Sequence, residues 1–262
     1  MKIVLKQEKL VNMLEKLMVD NMFPSCVIMT KDKTLSSIQK EEHSRGLRFV
    51  KFKESFFDSI SDDEDIIHIN AVKFLDVIKR IPATTVLTVQ KEGNKIVIEG
   101  EFDGRKVKPK LSYLEPEEPI KSLKEVNIEM KEGTPYVGKL EEEKIPLNIH
   151  LAIKLEDLKF MVEEASALDT EFYRFKLDNN IIKVNVGDLY ASSDEVEYEP
   201  KGKIIKSGSL ENIFTYGISQ ISKTFDGDIN IKTKSAYPGW IYETGDGYIL
   251  GILLPPFIDE EE

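Results

Sequence analysis

Four stretches of the chain repeat their apolar residues with the spacing of an amphipathic helix, and strand-like stretches separate them. In the first, Leu10, Leu14 and Leu17 recur on one face, which is the pattern that buries one side of a helix. Asn70 is a good N-cap and Pro82 stops a helix, so these residues bound the second. The predicted helices are Lys6–Asn21, Asn70–Ile81, Leu155–Leu168 and Ser209–Phe225.

The segments between the helices are rich in β-branched and aromatic residues, and turn sequences such as Asp103-Gly104 join them as in hairpins. Polar and apolar residues alternate over 106–113, which predicts a strand with one solvent-facing side, and Pro109 places that strand at a sheet edge. Cys26 lies in a short apolar run that predicts a buried strand. The other predicted strands are Thr85–Val89, Lys95–Gly100, Arg105–Tyr113, Phe172–Leu177, Ile181–Val186, Glu195–Glu199, Ile229–Thr233 and Tyr248–Leu254.

The order of helices and strands occurs twice along the chain. Between the two occurrences lies a stretch rich in Glu, Lys and Pro, in which Val126–Met130 alternates like a further strand. Meandering strands with few helices predict an α+β fold of two similar domains, each with antiparallel sheets and two helices. We expect an N-terminal domain over 1–114, a linker over 115–144 and a C-terminal domain over 145–262.

Composition narrows the classes of function. Of 262 residues, 41% are hydrophobic, which is enough for a packed core. The 36 basic and 47 acidic residues leave a net charge of −11, which argues against adsorption to nucleic acid or anionic lipid by bulk attraction. One cysteine and three scattered histidines predict no disulfide and no metal site. No apolar stretch has the length of a membrane span, so we expect an intracellular protein that does not bind membranes.

No catalytic constellation is recognisable in the sequence. A phosphate-binding loop, a nucleophile elbow and a His-Glu-x-x-His segment are all absent. The glycines of 245–251 predict a turn, because no helix follows to bind a phosphate. We therefore expect no catalytic residue and no cofactor, with an enzyme that has an unrecognised site as a remaining alternative.

Basic residues recur on the predicted helices away from their apolar faces. Lys9 and Lys16 are seven residues apart, as are Lys73 and Arg80, so each pair lies on one helix face. Such lysines are either ordinary solvated residues or, if the helices line one surface, a basic strip that could surround DNA in a closed ring. The candidate DNA-facing residues are Lys9, Lys16, Lys73, Lys79, Arg80, Lys154, Lys159 and Lys223.

The C-terminal sequence resembles a known family. Leu254, Pro255, Pro256 and Ile258 match the "leucine-alanine-proline-x-isoleucine-acidic" tail of the DNA sliding clamps of archaea and eukaryotes, the proliferating cell nuclear antigen family, with Pro255 in place of alanine. The segments 74–80 and 226–232 are similar to other parts of the family pattern. The resemblance covers almost the whole chain in the order and spacing of its elements.

The resemblance implies a homotrimeric or heterotrimeric ring around double-stranded DNA, opened by a clamp loader, which recruits DNA polymerase and other enzymes through a short peptide motif. It implies a location in the cytoplasm or nucleoid of an archaeon or its virus, or in a eukaryotic nucleus. The implied subunit interface pairs two edge strands through Lys106, Lys108, Lys110 and Ser112 of one subunit and Asp194, Val196 and Tyr198 of the next. The implied peptide pocket comprises Ile38, His43, Leu47, Pro238, Leu253, Leu254, Pro255, Pro256 and Ile258.

Two features depart from the family pattern. Positions that are often basic carry Met18, Asp76, Glu163 and Ile221 here, which weakens the expected contact with DNA. The linker is also longer than usual, so Val126–Met130 and Tyr136–Leu140 both remain candidates for its peptide-binding segment. A clamp-fold subunit that is monomeric or heteromeric, and that acts as a scaffold for partners without enclosing DNA, is the alternative.

Overall fold

The computed structural model describes residues 1–41, 46–114, 127–131, 134–138, 145–187, 194–215 and 217–257, and it confirms the α+β fold. In this part of the chain the helices are α1 (Gln7–Met18), α2 (Ala71–Ile78), α3 (Leu155–Ala167) and α4 (Ile218–Thr224), with a 3-10 turn at Glu54–Phe56. The strands are β1 (Lys2–Lys6), β2 (Ser25–Lys31), β3 (Thr34–Lys40), β4 (Leu47–Phe52), β5 (Ser59–Ile60), β6 (Asp65–Asn70), β7 (Val86–Glu92), β8 (Lys95–Phe102), β9 (Arg105–Val107), β10 (Lys110–Ser112), β11 (Asn127–Lys131), β12 (Thr134–Gly138), β13 (Ile145–Pro146), β14 (Ile149–Ile153), β15 (Tyr173–Asp178), β16 (Ile181–Gly187), β17 (Glu195–Tyr198), β18 (Gly202–Lys206), β19 (Glu211–Phe214), β20 (Ile229–Thr233), β21 (Gly239–Gly245) and β22 (Tyr248–Leu254).

The chain divides into two compact units, each with two of the helices. The first unit comprises Met1–Gln39, Arg48–Pro119 and Thr244–Leu250, and the second comprises Lys40–Leu47, Ile120–Glu243 and Gly251–Glu262. The turn between β21 and β22 therefore belongs to the first unit. Most of the predicted linker, including 115–126 and 139–144, lies outside the described residues, and the strand expected within it is β11.

Antiparallel sheets form both units. In the first unit one sheet has the order β10-β8-β7-β1-β5, with β9 also beside β8, and β4, β3, β2 and β6 are neighbours in that order. The second unit contains the sheet β17-β16-β15-β19 and the neighbours β18, β14, β20 and β21. The strands β9 and β10 in the first unit and β17 in the second therefore lie at the ends of their sheets.

The two helices predicted for the first unit are present and slightly shorter than expected. Leu10, Leu14 and Leu17 are buried on the inner side of α1, as the periodicity predicts. The helix ends at Met18 because Val19 adopts a left-handed conformation with φ 45°. At α2, Asn70 is the predicted N-cap, and its Oδ1 accepts a hydrogen bond of 2.9 Å from the Lys73 amide.

In the second unit α3 follows the prediction within one residue, whereas the helix predicted over Ser209–Phe225 is wrong in its first half. Residues 211–214 form β19, which pairs with β15, and the helix α4 begins only after Gly217. Asn212 is buried in β19, and its Nδ2 donates to the Thr233 hydroxyl at 2.6 Å and to two backbone carbonyls. These bonds fix the segment in an extended conformation, although its apolar residues also match a helical period.

An arginine, Arg48, is completely buried in the first unit at the start of β4. Its guanidinium donates hydrogen bonds to the Leu17 carbonyl oxygen and the Ser37 hydroxyl, and to Gln39 Oε1 at 3.2 Å. It also lies 3.4 Å from the Sγ of Cys26, which is buried as its sequence context predicts. Burial lowers the pKa of the guanidinium and raises the pKa of the Cys26 thiol, because the apolar surroundings disfavour both charged forms.

Candidate functional site

A basic edge is formed in the first unit by residues 105–112, which contain β9 and β10. Both strands pair with β8, as expected for the strand interrupted by Pro109. Exposure alternates along this edge: Lys106, Lys108 and Lys110 are exposed, while the apolar residues between them, such as Val107, are half-buried. The edge therefore presents a row of positive side chains and a row of apolar ones.

Pro109 lies at a position of the basic edge where the backbone groups face the neighbouring strand β8. The Pro109 carbonyl oxygen accepts a hydrogen bond of 3.0 Å from the Ile98 amide of β8, so the backbone groups of Pro109 face the sheet. Because backbone groups of successive residues point to opposite sides of a strand, those of Lys108 and Lys110 face away from the sheet. The missing N–H of Pro109 thus costs the open edge no hydrogen-bond donor.

An acidic edge is formed in the second unit by residues 194–199, which contain β17. Asp194, Glu195, Glu197 and Glu199 are exposed, and Val196 and Tyr198 between them are half-buried. The strand pairs with β16, and within the sheet the Lys183 ammonium lies 3.2 Å from a Glu197 carboxylate oxygen.

Tyr198 on the acidic edge lies beside an exposed aromatic residue of α3. Its ring packs edge-on against Phe160, with ring centroids 5.4 Å apart, and Phe160 remains 49% exposed. Burial, followed by the charge of Glu164, raises the pKa of Tyr198. The apolar side of the acidic edge is therefore extended by a large aromatic surface that water still contacts.

The two edges are complementary in charge and in the alternation of charged and apolar positions. One carries Lys106, Lys108 and Lys110, and the other carries Glu195, Glu197 and Glu199 at the same spacing of two residues. Opposite charges on facing strands attract, whereas like charges repel. One edge can therefore pair with the other edge of a second copy and is disfavoured from pairing with itself.

In the first unit three predicted DNA-facing residues of α2 and its C-terminus are exposed: Lys73, Lys79 and Arg80. The Lys79 ammonium lies 2.9 Å from a carboxylate oxygen of Glu15 on α1, an exposed ion pair. Asp76 is also exposed on α2, so the positive charge of this face is partly balanced. The face carries positive groups for a few phosphate contacts.

The two lysines of α1 do not extend into solvent as the sequence led us to expect. Lys16 is only 1% exposed, and its Nζ lies 5.3 Å from the ring centroid of Tyr248. Lys9 is half-buried, and its Nζ donates a hydrogen bond of 3.0 Å to the Phe56 carbonyl oxygen. The Lys9 ammonium also lies 5.8 Å from the Phe56 ring centroid, so both ammonium groups are stabilised by cation–π attraction to neighbouring rings of the first unit. The prediction that Lys16 faces outward is wrong.

The helices of the second unit do not form a basic face, which was one of the two alternatives that the sequence left open. Lys154, Lys159 and Lys223 are exposed, and Lys154 lies 2.7 Å from a carboxylate oxygen of Asp228. A cleft of about 650 Å³ beside α3 and α4 is lined by Lys223 together with three carboxylates. Those carboxylates belong to Glu163, Asp169 and Glu171. Because acidic side chains are so frequent here, the helix face of this unit is not a basic strip.

The predicted peptide pocket is only partly described. Within the second unit Leu47, Leu253 and Leu254 are buried, Pro238 and Pro256 are half-buried, and Pro255 is exposed. Ile38 is half-buried in the first unit, and His43 and Ile258 lie outside the described residues. Leu47 of β4 and the two leucines of β22 thus belong to the core, which leaves the prolines and Ile38 as the accessible described members of this set.

Sequence reasoning anticipated the two edge strands of the implied interface, but it missed their charge complementarity and one aromatic contact. The signal for the complementary edges was present, since Lys106-Val-Lys-Pro-Lys and Glu195-Val-Glu-Tyr-Glu share one alternation with opposite charge. The contact of Phe257 with Phe172, whose ring centroids are 5.2 Å apart, had no local signal because the two residues are distant in sequence.

Neither a metal centre nor a membrane-spanning helix is present among the described residues. No cluster of three or more His, Cys, Asp or Glu side chains there could bind a metal ion. Across the same ranges, no helix combines the length and the apolar composition needed to span a membrane.

Comparison with known proteins identifies the fold. No protein-family model and no curated protein sequence matches the chain. Among solved structures, PCNA from A. fulgidus bound to the C-terminal region of FEN-1 is 13% identical, with a TM-score of 0.75 and 99% of both chains covered. PCNA from Entamoeba histolytica gives a TM-score of 0.77 at 12% identity, covering 98% of both chains. PCNA from Thermococcus kodakaraensis gives 0.74 at 14% identity, covering 98% of this chain and 99% of that one. Since the match spans both units, the chain has the fold of a PCNA-type sliding clamp.

Proposed function

We propose that this chain is the protomer of a trimeric sliding clamp, which encircles duplex DNA and tethers replication and repair enzymes. The observation that carries the proposal is the pair of complementary edges, one basic on the first unit and one acidic on the second. An interface between two different surfaces of one chain joins copies head to tail, and it gives a ring when the rotation closes. The PCNA-type fold favours a closed ring of three copies.

One antiparallel register accounts for all three charge pairs of the interface. It places Lys106 opposite Glu199, Lys108 opposite Glu197 and Lys110 opposite Glu195 of the next copy. In the same register the apolar residues between the lysines face Val196 and Tyr198, so the half-buried side of each edge is covered. The backbone groups of Lys108 and Lys110 that face away from β8 then complete a ladder, so neither of these two edges stays open.

Contact with DNA in this assembly is weak and independent of sequence. Lys73, Lys79 and Arg80 on the first unit supply the main positive charge, and the acidic helix face of the second unit adds little. A small number of phosphate contacts is not enough to retain a protein on DNA at physiological salt. Retention is instead topological, and weak contacts allow the ring to slide. Partner enzymes bind near the C-terminal tail, and a loader supplies the energy for opening.

The proposal predicts that retention depends on DNA topology. Diluting the protein to monomers and then concentrating it with DNA lets rings close around the duplex without a loader. We expect the protein to co-elute with closed circular plasmid on gel filtration and to dissociate after the plasmid is linearised. Equal retention on both forms would indicate surface binding. Absence from both, with assembly intact, would favour the partner-binding scaffold that does not enclose DNA.

The DNA-facing role of the first unit is tested through salt dependence. Replacing Lys73, Lys79 and Arg80 by Ala is expected to reduce the slope of log K against log salt by about 0.9 for each phosphate that is no longer neutralised, or roughly 2.7 for three. The slope is measured by fluorescence anisotropy on a short linear duplex. Replacing Lys201, Lys203 and Lys206 by Ala removes three exposed lysines at and beside β18 instead and serves as the matched control. An unchanged slope in the triple variant would show that the basic residues of α2 and its C-terminus do not contact DNA.

A further inference from the structure

The outer side of β19 is covered by the C-terminal segment of the same chain. β19 is the last strand of the sheet β17-β16-β15-β19, and within that sheet it pairs with β15 alone. The Phe257 amide donates a hydrogen bond of 2.8 Å to the Ile213 carbonyl oxygen of β19. The Phe257 ring packs edge-on against Phe172, and both aromatic side chains remain half-buried. Up to Phe257, where the described residues end, the segment thus adds one backbone bond and one aromatic contact to the sheet edge.

The chemistry of the segment limits how firmly it can bind. Leu254 is 1% exposed, and a Cβ added at Gly217 would lie 2.8 Å from its Cδ2, so Leu254 is fixed in the core. Pro255 and Pro256 follow, and neither has an N–H to donate to β19. Phe257 is therefore the first residue after Leu254 that can form such a bond. A strand without prolines would form more bonds along the same edge.

We propose that residues 255–257 are a displaceable occupant of the β19 edge, and that this edge binds an extended partner peptide whose aromatic side chain replaces Phe257 on Phe172. Addition of a strand to an open edge provides affinity through backbone bonds, while an aromatic pocket provides specificity. The attached tail is always at high local concentration, so it excludes peptides that bind weakly. The inference rests on the proposed clamp function, in which such peptides belong to the tethered enzymes.

The test uses the full chain and a synthetic probe. The probe is a fluorescent copy of residues 253–262 in which both prolines are replaced by alanine, and its binding is measured by anisotropy. We expect weak binding to the wild type and an affinity at least about tenfold higher for Phe257→Ala, since the competing aromatic ring is removed. The double variant Phe172→Ala/Phe257→Ala is expected to show no such increase. Ile205→Ala, which removes an exposed apolar side chain from β18 elsewhere in the second unit, is expected to behave like the wild type.

A second measurement covers the case in which Phe257→Ala fails to fold. In the wild type, amide hydrogen exchange at Phe257 is expected to be much faster than at Arg174 in β15, because a displaceable segment opens without the sheet. Equal protection of the two amides would show that the tail is a fixed part of the core and would overturn the proposal. An unchanged probe affinity for a folded Phe257→Ala, or an increase that persists without Phe172, would overturn it too. Neither measurement requires a ring or DNA, so a failure here is distinguishable from a failure of the clamp function.

Discussion

Reversal of two charges on the basic edge, Lys106→Glu with Lys110→Glu, is expected to convert the assembled protein into monomers. In the proposed register, two attractive pairs at each interface become repulsive pairs with Glu199 and Glu195. Cross-strand charge pairs contribute about 0.2–1 kcal/mol each, so reversing two changes each interface by about 1–4 kcal/mol, or roughly 5- to 1,000-fold in affinity. Sedimentation velocity at micromolar concentration measures the result, and retention on circular DNA should disappear together with assembly.

A charge-swapped variant provides the decisive control for this experiment. Adding Glu195→Lys and Glu199→Lys to the double variant restores complementary edges at the net charge of the wild type, and we expect assembly to return. The pair Lys203→Glu and Lys206→Glu changes net charge equally on β18, which belongs to neither edge, and should leave assembly intact. If the swapped variant remains monomeric, or if the β18 variant also dissociates, the charge complementarity does not direct assembly.

Truncation of the buried arginine, Arg48→Ala, is expected to lower the free energy of unfolding by about 3–5 kcal/mol, because buried acceptors lose their donor and a cavity remains. The acceptors are the Leu17 carbonyl oxygen, the Ser37 hydroxyl and the Gln39 side-chain oxygen. Urea denaturation followed by circular dichroism gives the change. Arg48→Met keeps most of the volume and removes the buried charge, so we expect it to cost less than Arg48→Ala.

The control for the arginine is its exposed counterpart on the first unit, Arg80. Surface substitutions away from caps and cores usually change stability by less than about 0.5 kcal/mol, and Arg80→Ala should lie within that range. A similarly small effect for Arg48→Ala would show that the guanidinium contributes little to the stability of the first unit.

Local sequence patterns predicted the helices correctly where long-range contacts do not impose another conformation. The apolar stripe containing Leu10 and Leu14 and the cap at Asn70 determine α1 and α2 from nearby residues alone, and both helices are found. The segment 211–214 shows the limit of this approach. Its short apolar run matches either period, and the choice of strand depends on a buried bond between Asn212 and Thr233, which lies far along the chain.

The prediction of the candidate site was limited by similar long-range contacts. Lys16 matches an outward helical position, but Tyr248 of the C-terminal hairpin packs over its ammonium group and buries it. The edge strands could be anticipated better, because Pro109 and the alternation around it are local signals of a sheet edge. For β17 no local signal of this kind exists, and its position at the end of its sheet was expected only from the family resemblance, since it depends on which strands pair.

The unlike edges also determine the polarity of the proposed assembly. Because each contact joins a basic edge to an acidic one, the protomers of a closed ring are related by rotation about a single axis, and these contacts generate no perpendicular two-fold axis. Every C-terminal tail then emerges on the same side of the protein. Enzymes bound there would all have the same orientation on the double helix. The ring, as well as the polymerase, would therefore have a defined orientation relative to the direction of strand synthesis.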